Sequence, residues 1–233
     1  MGAEMTEHVV LVGMSAREVS ARDRLVSAAP AANTSVAFLQ LGDPSLSREL
    51  SRLADAGARR IVLVGVCLGT LAPANSWLRR IAAHWWRERN DAGLVLEVAT
   101  RLTDLSDLEV VRGDSRAVTG TEPGLTSAAW EHVTGHRHQV LVCRGPRCTA
   151  LGSDATAEAL VLALMRHRLG DDDVLLTHTG CQFPCNQAPV VSIQPDDVWY
   201  GGVDPTAADR IVAEHLVEGT VVESLRLPRH VQE

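Results

Sequence analysis

The sequence predicts an α/β protein made of two successive units, each built on its own sheet. Residues 8–100 alternate short apolar runs with helical patterns, the order expected of parallel strands joined by helices. Residues 139–226 begin with the same alternation but end in a predicted hairpin and a closing helix. Residues 101–138 are rich in Asp, Gly, Thr and Pro and are expected to form a connector with one or two short helices. We therefore expect an N-terminal domain over 1–100 and a C-terminal domain over 139–233.

The first unit is expected to contain four strands and three helices. Ser15, with Glu18 three residues later, fits a capping box that begins the first helix. Asp43 before Pro44 is predicted to cap the second helix, and Gly57 is predicted to end it. The expected strands are 8–13, 35–40, 60–67 and 94–98, and the third helix is expected at about 76–90. This order favours a parallel sheet covered by helices on both faces.

The second unit is expected to contain a strand, a helix, a further strand, a hairpin and a last helix. Ser153 or Asp154 is predicted to cap the first of these helices, which runs to Gly170. Residues 195–197 are predicted to form the hairpin turn. The expected elements are strands 139–143 and 173–178, hairpin arms 190–193 and 198–200, and a helix at 205–217.

Four of the five cysteines form two close pairs at predicted strand ends. Cys143 and Cys148 follow one strand, and Cys181 and Cys185 follow the next. Both pairs can meet at one end of the sheet, and four thiolates from two loops can hold a [2Fe–2S] cluster with two thiolates on each iron. A structural zinc site and a pair of disulfides stay open as alternatives, although zinc sites favour tighter Cys-x2-Cys spacing. A Cys-x-x-Cys redox dithiol is absent from the sequence.

Further features accompany these cysteines. The spacings are Cys-x4-Cys and Gly-Cys-x3-Cys, followed by Asn-x-Ala-Pro-Val-Val at 186–191 and an aromatic-Gly strand at 199–202. In these features, over about 139–217, the chain resembles the thioredoxin-like [2Fe–2S] ferredoxins, including the small cluster-bearing subunit of respiratory complex I. The resemblance implies a thioredoxin-like fold, the same four cysteines as cluster ligands, and one-electron transfer with a redox partner protein.

The chain is acidic, and its charge lies mainly in the second unit. All 22 basic residues are arginine, against 29 acidic residues, which gives a net charge of −7. Residues 1–138 hold 15 arginines and 16 acidic residues, and residues 139–233 hold 7 and 13, a net charge of −6. An acidic carrier is steered towards a partner with a basic docking surface, and nucleic acid is disfavoured as a partner.

The chain has the composition of a globular protein, with a hydrophobic content of 45%. No apolar run approaches the roughly 18 residues that span a bilayer, so we expect no membrane segment. Residues 1–7 are acidic and lack the pattern of a signal peptide, so we expect a cytoplasmic protein.

Three stretches of the first unit, at 11–15, 36–46 and 57–64, carry a second resemblance. Over 8–100 the chain resembles one half-unit of the class II tetrapyrrole chelatases, the sirohydrochlorin cobalto- and ferrochelatases. That family has metal-binding histidines where this chain has Met14 and, after the third strand, near Ser76. The resemblance implies a degenerate domain that binds a tetrapyrrole or docks an enzyme of cobalamin or sirohaem metabolism. The alternative is a divergent sirohydrochlorin chelatase that carries the cluster.

A ligand pocket of the first unit is expected where its parallel strands end. Met14, Ser15, Cys67 and Ser76 are the candidate pocket residues, and their catalytic roles are unknown. Met14 and Cys67 together could bind a soft metal ion, although buried cysteine and packing methionine are commoner. The weaker candidates are the helix arginines Arg79, Arg80, Arg87 and Arg89, for tetrapyrrole carboxylates, and the histidines His132, His136 and His138, for a metal ion. Chelatases of this type often use two half-units around one cleft, which implies a homodimer.

Overall fold

The structure is a computed structural model that describes residues 7–29 and 32–229. The chain divides into two units, Met1–Trp130 (unit 1) and Glu131–Glu233 (unit 2). Each unit contains one sheet with helices, which confirms the predicted α/β fold class. The domain limits taken from the sequence stay a prediction, and residues 1–6, on which the expected lack of a signal peptide rests, lie outside the described residues. No helix in the described ranges is long and apolar enough to cross a membrane.

Unit 1 contains five strands and five helices among its described residues. The strands are β1 (Glu7–Gly13), β2 (Thr34–Phe38), β3 (Arg60–Val66), β4 (Val95–Ala99) and β5 (Ser115–Ala117). The helices are α1 (Ala16–Ser20), α2 (Arg22–Ser27), α3 (Leu46–Asp55), α4 (Asn75–Arg89) and α5 (Leu108–Gly113). The sheet order is β2-β1-β3-β4-β5, in which the first four strands are parallel, as predicted.

The side chains of the central strand β1 alternate between two apolar layers. Val10 and Val12 lie in the layer that includes α3 and α4. Val9 and Leu11 lie in the layer that includes α2 and α5. Because successive residues of a strand point to opposite faces, one continuous apolar run fills both layers. The continuous apolar run in the sequence is therefore explained by burial on both sides.

Two predicted helix boundaries of unit 1 are confirmed. Ser15 and Glu18 form the capping box of α1, in which the Glu18 carboxylate accepts a hydrogen bond from the Ser15 N–H at 2.7 Å. Gly57 follows α3 with φ of 91°, the left-handed conformation that suits glycine.

The prediction that Asp43 caps α3 is wrong. Ser45 is the N-cap, and its hydroxyl accepts a hydrogen bond from the Arg48 N–H. The residue between, Pro44, still pairs with β2, because its carbonyl accepts a hydrogen bond from the Phe38 N–H at 3.0 Å. The N-cap therefore lies one residue after that pairing, and the helix begins at Leu46.

The segment predicted as a connector contains more structure than short helices. Besides α5, it contributes β5, which pairs antiparallel with β4. A 3-10 turn follows at Ala128–Trp130. Strand β5 has only three residues, which is too short for the alternation of apolar and polar residues that would reveal a strand in the sequence.

Unit 2 contains a four-stranded mixed sheet. Its strands are β6 (His138–Cys143), β7 (Val174–Thr179), β8 (Val191–Gln194) and β9 (Val198–Tyr200). Its helices are α6 (Pro146–Ala150), α7 (Ser153–Arg166) and α8 (Pro205–Arg210), which continues as a π-helical segment at Ile211–Val217. The sheet order is β7-β6-β8-β9, with β6 parallel to β7 and the remaining pairs antiparallel. The predicted hairpin is therefore confirmed as β8 and β9.

The predicted boundaries of α7 are wrong at both ends. Gly152 precedes the helix with φ of 92°, and neither Ser153 nor Asp154 caps it, because both lie within its first turn. The helix ends at Arg166 rather than Gly170. Arg168 adopts a left-handed conformation, with φ of 57°, and this turns the chain away from the helix axis.

A buried polar network joins the hairpin turn of unit 2 to its last helical segment. The His215 side chain is 4% exposed, and its Nδ1 lies 2.8 Å from the Tyr200 hydroxyl. Its Nε2 lies 3.2 Å from Asp196 Oδ2, and His138 Nε2 lies 3.3 Å from the same oxygen. Burial lowers the pKa of His215. Both histidines can donate to the Asp196 carboxylate while Tyr200 donates to His215, so every buried partner is satisfied.

Candidate functional site

Parallel pairing of β6 and β7 brings the two cysteine loops together. Cys143, the last residue of β6, lies opposite Thr179, the last residue of β7. Cys148 lies in α6, directly after β6, and Cys181 lies two residues after the end of β7. Cys185 begins a 3-10 turn in the same loop as Cys181. The structure thus brings all four predicted cysteines to one end of the sheet; we call these four residues the cysteine site.

Two cysteines of this site are buried and two reach the surface. Cys143 and Cys148 are 1% and 2% exposed and pack against Val190. Cys181 is exposed and Cys185 is half-buried. The Sγ atoms of Cys181 and Cys185 lie 3.4 Å apart, and the thiol of Cys143 interacts with those of both Cys148 and Cys181. The four sulfur atoms therefore form one connected group with a dry side and an accessible side.

Gly145 allows the two loops to approach each other closely. A Cβ atom added at this position would lie 2.9 Å from Cys181 Cβ and 3.0 Å from Cys181 Cα. Real Cβ atoms essentially never show contacts this short, so any larger residue would push the loops apart. The close approach of Gly145 to Cys181 thus sets the separation of the two cysteine pairs.

Gln182 fastens the second loop to the sheet. Its Nε2 donates to the Leu141 carbonyl at 3.0 Å and to the Thr179 hydroxyl at 2.8 Å. Its Oε1 accepts from the hydroxyl of Ser192, which is fully buried, at 2.8 Å. Its backbone N–H points to Cys143 Sγ at 3.4 Å. One side chain therefore connects three strands of unit 2 with the cysteine site.

The remainder of the loop is fixed by backbone hydrogen bonds. The Gln187 carbonyl accepts from the Gly202 N–H at 2.7 Å, and the Pro189 carbonyl accepts from the Val203 N–H at 3.1 Å. These bonds explain why the Ala-Pro-Val-Val run and the aromatic-Gly strand occur together in the sequence, since the second holds the first in place.

The electrostatic surroundings differ between the buried and the exposed thiols. Burial raises the pKa of Cys148 to about 11. A hydrogen bond from the Phe183 N–H lowers the pKa of Cys181, while the thiol of Cys181 raises the pKa of Cys185. Arg147 stabilises negative charge on both exposed sulfur atoms, and its guanidinium is held at 3.0 Å from the Asn186 side-chain oxygen. Burial thus opposes ionisation on the inner side, and Arg147 favours it on the outer side.

These residues fit a two-iron cluster. Within the described ranges, no group of three or more His, Cys, Asp or Glu residues could hold a metal ion. A [2Fe–2S] cluster needs a different arrangement, two thiolate pairs with one pair on each iron. The cysteine site provides sulfur pairs, backbone N–H groups directed at sulfur, and a largely dry inner side, which are the features that hold and tune such clusters.

Most of the residues predicted to line a pocket in unit 1 are buried or hydrogen-bonded to other groups of the same unit. Met14 is fully buried in the core. The Ser15 hydroxyl donates to Glu18 at 2.6 Å, and the same carboxylate accepts from the Leu68 N–H at 2.7 Å. Cys67 is half-buried with its thiol 3.1 Å from the Gly69 carbonyl oxygen, and Ser76 is exposed in the first turn of α4. A pocket formed by these four residues stays a prediction.

The four candidate arginines of α4 all have partners within unit 1. Their partners are Glu122 for Arg79 at 2.8 Å, the Trp77 and Trp130 rings for Arg80, the Gly120 carbonyl for Arg87 at 3.2 Å, and Asp55 for Arg89 at 2.7 Å. The candidate histidines do not converge as a set either, since His138 contacts Asp196 and His136 contacts Thr134. Carboxylate groups of a ligand would have to compete with these internal contacts.

Gly145, Gln182 and Arg147 are residues of the site that sequence patterns did not identify. Gly145 lies between Cys143 and Cys148 in the sequence. Glycine is required there because Cys181, which is distant in the sequence, packs directly against it. Gln182 and Arg147 act through long-range contacts as well. A polar residue directly after a loop cysteine is the only local signal that pointed to Gln182.

Comparison with known proteins relates the cysteine-bearing part of the chain to ferredoxins. A 2Fe-2S ferredoxin of Clostridium pasteurianum is 30% identical over 99 residues, covering 39% of this chain and 96% of the relative. A provisionally named 2Fe-2S ferredoxin of Priestia megaterium is 34% identical over 95 residues, covering 40% of this chain and 73% of the relative. No family model matches the chain.

Solved structures of several proteins are similar to parts of the chain. The thioredoxin-like [2Fe-2S] ferredoxin of Aquifex aeolicus has 34% sequence identity and a TM-score of 0.37, covering 40% of this chain and 97% of its own. A provisionally named cobalamin biosynthesis protein, CbiX of Marinobacter aquaeolei VT8, has 18% identity and a TM-score of 0.33, covering 41% of this chain and 80% of its own. SirB of Bacillus subtilis with Fe³⁺ has 14% identity and a TM-score of 0.36, covering 77% and 68%. At these TM-scores no function follows for unit 1.

Proposed function

This chain belongs to the thioredoxin-like [2Fe–2S] ferredoxin family, and we propose that it is a one-electron carrier whose cluster is held by its cysteine site. The observation that carries the proposal is the convergence of four sulfur atoms at one end of the sheet, two buried and two at the surface. When bound, such a cluster accepts and donates single electrons.

The residues of the chain divide the work of holding the cluster. Cys143 and Cys148 provide the buried side, where the surrounding apolar groups keep water away. Cys181 and Cys185 provide the exposed side, which is the short route for an electron to a partner. Arg147 lies beside the exposed side, and its positive charge would offset part of the negative charge of a bound cluster.

Anaerobic purification followed by iron and sulfide quantification tests this proposal. We expect two irons and two sulfides per chain, the [2Fe–2S] stoichiometry, with visible absorption that bleaches on reduction. Cys148→Ala is expected to lose most of the iron, and Cys67→Ala is the matched control because Cys67 lies outside the cysteine site. Equal iron content in Cys148→Ala and the unaltered chain would remove Cys148 from the ligand set, and a zinc-only protein would refute the proposal.

We also propose that unit 1 links the carrier to tetrapyrrole metabolism. The support is the resemblance of residues 8–100 to one half-unit of the sirohydrochlorin chelatases, which also favours a homodimer. Titration of the anaerobic protein with sirohydrochlorin, followed by its absorption spectrum, should give saturable binding. The absence of a spectral change would remove the link.

A divergent metal chelatase is the alternative, favoured by the same resemblance. It predicts insertion of Co²⁺, Fe²⁺ or Ni²⁺ into sirohydrochlorin faster than the uncatalysed reaction. A rate equal to the uncatalysed one with all three metals would exclude it.

The acidic charge of unit 2 favours a redox partner with a basic surface at long range. Residues 139–233 carry a net charge of −6. The electric field of such a charge raises the rate of association with a basic partner more than it raises the affinity of the complex. A cytoplasmic location, where thiols stay reduced, is the compartment that this proposal expects.

A further inference from the structure

The accessible edge of the cysteine site lies on one side only. Cys143 and Cys148 are almost fully buried, whereas Cys181 is exposed and Cys185 is half-buried. An electron partner must therefore cover the loop that carries Cys181 and Cys185. Any residue that projects from this loop between those two cysteines becomes part of the contact.

Phe183 is that residue, and its ring is displayed to solvent. The side chain is 73% exposed, and among the described residues of unit 2 it is the only exposed aromatic residue. Its backbone has φ of 51°, a left-handed conformation that is unusual for a bulky residue. In this conformation its N–H group donates to Cys181 while the ring stays out of the core.

The chain segment that contains Phe183 carries no charged side chain, in contrast to the rest of unit 2. Residues 179–191 contain no Asp, Glu, Arg or His, although unit 2 as a whole is acidic. The facing loop contributes Arg144 and Arg147; Arg144 is paired with Asp154, and Arg147 lies beside Asn186 and the exposed sulfur atoms. The two loops, residues 144–152 and 179–191, therefore offer no carboxylate to attract a cationic residue of a partner.

A cationic group of a partner pressed against these loops would lose its water without gaining a carboxylate, which is costly, and the one cation beside the exposed sulfur atoms, Arg147, already contacts Asn186. An apolar pocket loses nothing in the same place and gains the burial of an aromatic ring. Exposed aromatic residues at the centre of an interface are also the usual energetic anchors of a complex. The complementary surface is thus apolar.

We propose that Phe183 is the docking anchor of the carrier and that it inserts into an apolar pocket of a partner redox protein. This inference rests on the proposed electron-carrier function and names the chemistry of the partner at the same site. Long-range charge sets the rate of encounter, and Phe183 sets the lifetime of the complex.

Photo-crosslinking identifies what covers the ring. Benzoylphenylalanine is introduced at position 183 of the full chain, in cells that naturally contain it, and at Met165 as the control. Met165 is 64% exposed and lies near the far end of α7, about 20 Å along that helix from its first residue. We expect position 183, and not position 165, to capture a protein that contains flavin, haem or an iron–sulfur cluster. A second copy of this chain, a non-redox protein, or no product would overturn the inference.

Dissociation kinetics with the captured protein, after its purification, complete the test. Phe183→Ala and Phe183→Gly should dissociate at least about tenfold faster than the unaltered carrier, with association rate and salt dependence preserved. Glycine adopts the left-handed conformation of position 183 readily, so Phe183→Gly should fold. Faster dissociation in both Phe183→Ala and Phe183→Gly would therefore not result from a loss of folding. Phe183→Leu should restore most of the lifetime. Unchanged dissociation in variants with a normal visible spectrum would refute the docking anchor alone, whereas absence of a cluster in the unaltered chain would refute the electron-carrier function itself.

Discussion

Replacement of Gly145 by alanine should separate the two cysteine loops. The added Cβ would lie 2.9 Å from Cys181 Cβ, 3.0 Å from Cys181 Cα and 3.4 Å from the Cys181 backbone nitrogen. Carbon atoms in favourable contact lie about 3.5–4.0 Å apart, so the loops must move by roughly 0.5–1 Å. Two of the opposing atoms belong to the backbone and the third is fixed to it, so no side-chain rotation can relieve the contact. Overpacking of this kind costs about 1–3 kcal/mol.

The assay has two parts and a control within the same pair of loops. Urea unfolding of the metal-free protein should show unit 2 destabilised by that amount, and a chelator should bleach the loaded protein faster than it bleaches the unaltered protein. In the control, Gly180→Ala, the added Cβ would have nothing within 4 Å, so the free energy of unfolding should stay within about 0.5 kcal/mol. If Gly145→Ala matched Gly180→Ala in both measurements, close approach would not set the geometry of the cysteine site.

Three further predictions follow from the contacts of unit 2. Gln182→Ala should lower the free energy of unfolding by about 1–3 kcal/mol in urea titrations, because the buried Ser192 hydroxyl loses its acceptor; an unchanged midpoint would show that Ser192 finds another. Arg147→Ala should lower the reduction potential by roughly 10–40 mV in a spectroelectrochemical titration, because a positive charge beside the exposed sulfurs favours the reduced state; a rise would contradict the electrostatic reasoning. Burial lowers the pKa of His215 in the folded state, so as the pH falls His215 is protonated in the unfolded chain before it is protonated in the folded chain. The free energy of unfolding should therefore fall as the pH drops below about 6.5. This fall should be smaller in His215→Gln when urea midpoints are compared at pH 7.5 and 5.5.

Local patterns were sufficient to predict most elements of the fold. The parallel strands of unit 1 are apolar on both faces, and such runs are visible without knowledge of their neighbours. Gly57 and the Ser15 capping box are signals that lie within a few residues of the boundary they set. Asp43 and Ser153 have the same residue types as true caps, but tertiary pairing at Pro44 and the turn at Gly152 decide where those helices begin.

The cysteine site likewise has features that the sequence predicts and features that depend on the folded chain. The convergence of the four cysteines could be predicted because they lie at or after strand ends, and parallel strands carry their ends to one edge of a sheet. The roles of Gly145 and Gln182 could not, because each depends on a residue that only the folded chain brings near. The exposure of Phe183 likewise depends on a backbone conformation that its residue type does not favour.

An electron paramagnetic resonance spectrum of the anaerobic protein, recorded before and after stoichiometric reduction, tests the central claim most directly. The account predicts a silent oxidised state and, after one electron per chain, a signal that integrates to about one spin and disappears in Cys181→Ala. A protein that takes up no electron, or whose signal survives the loss of Cys181, would contradict a [2Fe–2S] cluster held by the cysteine site.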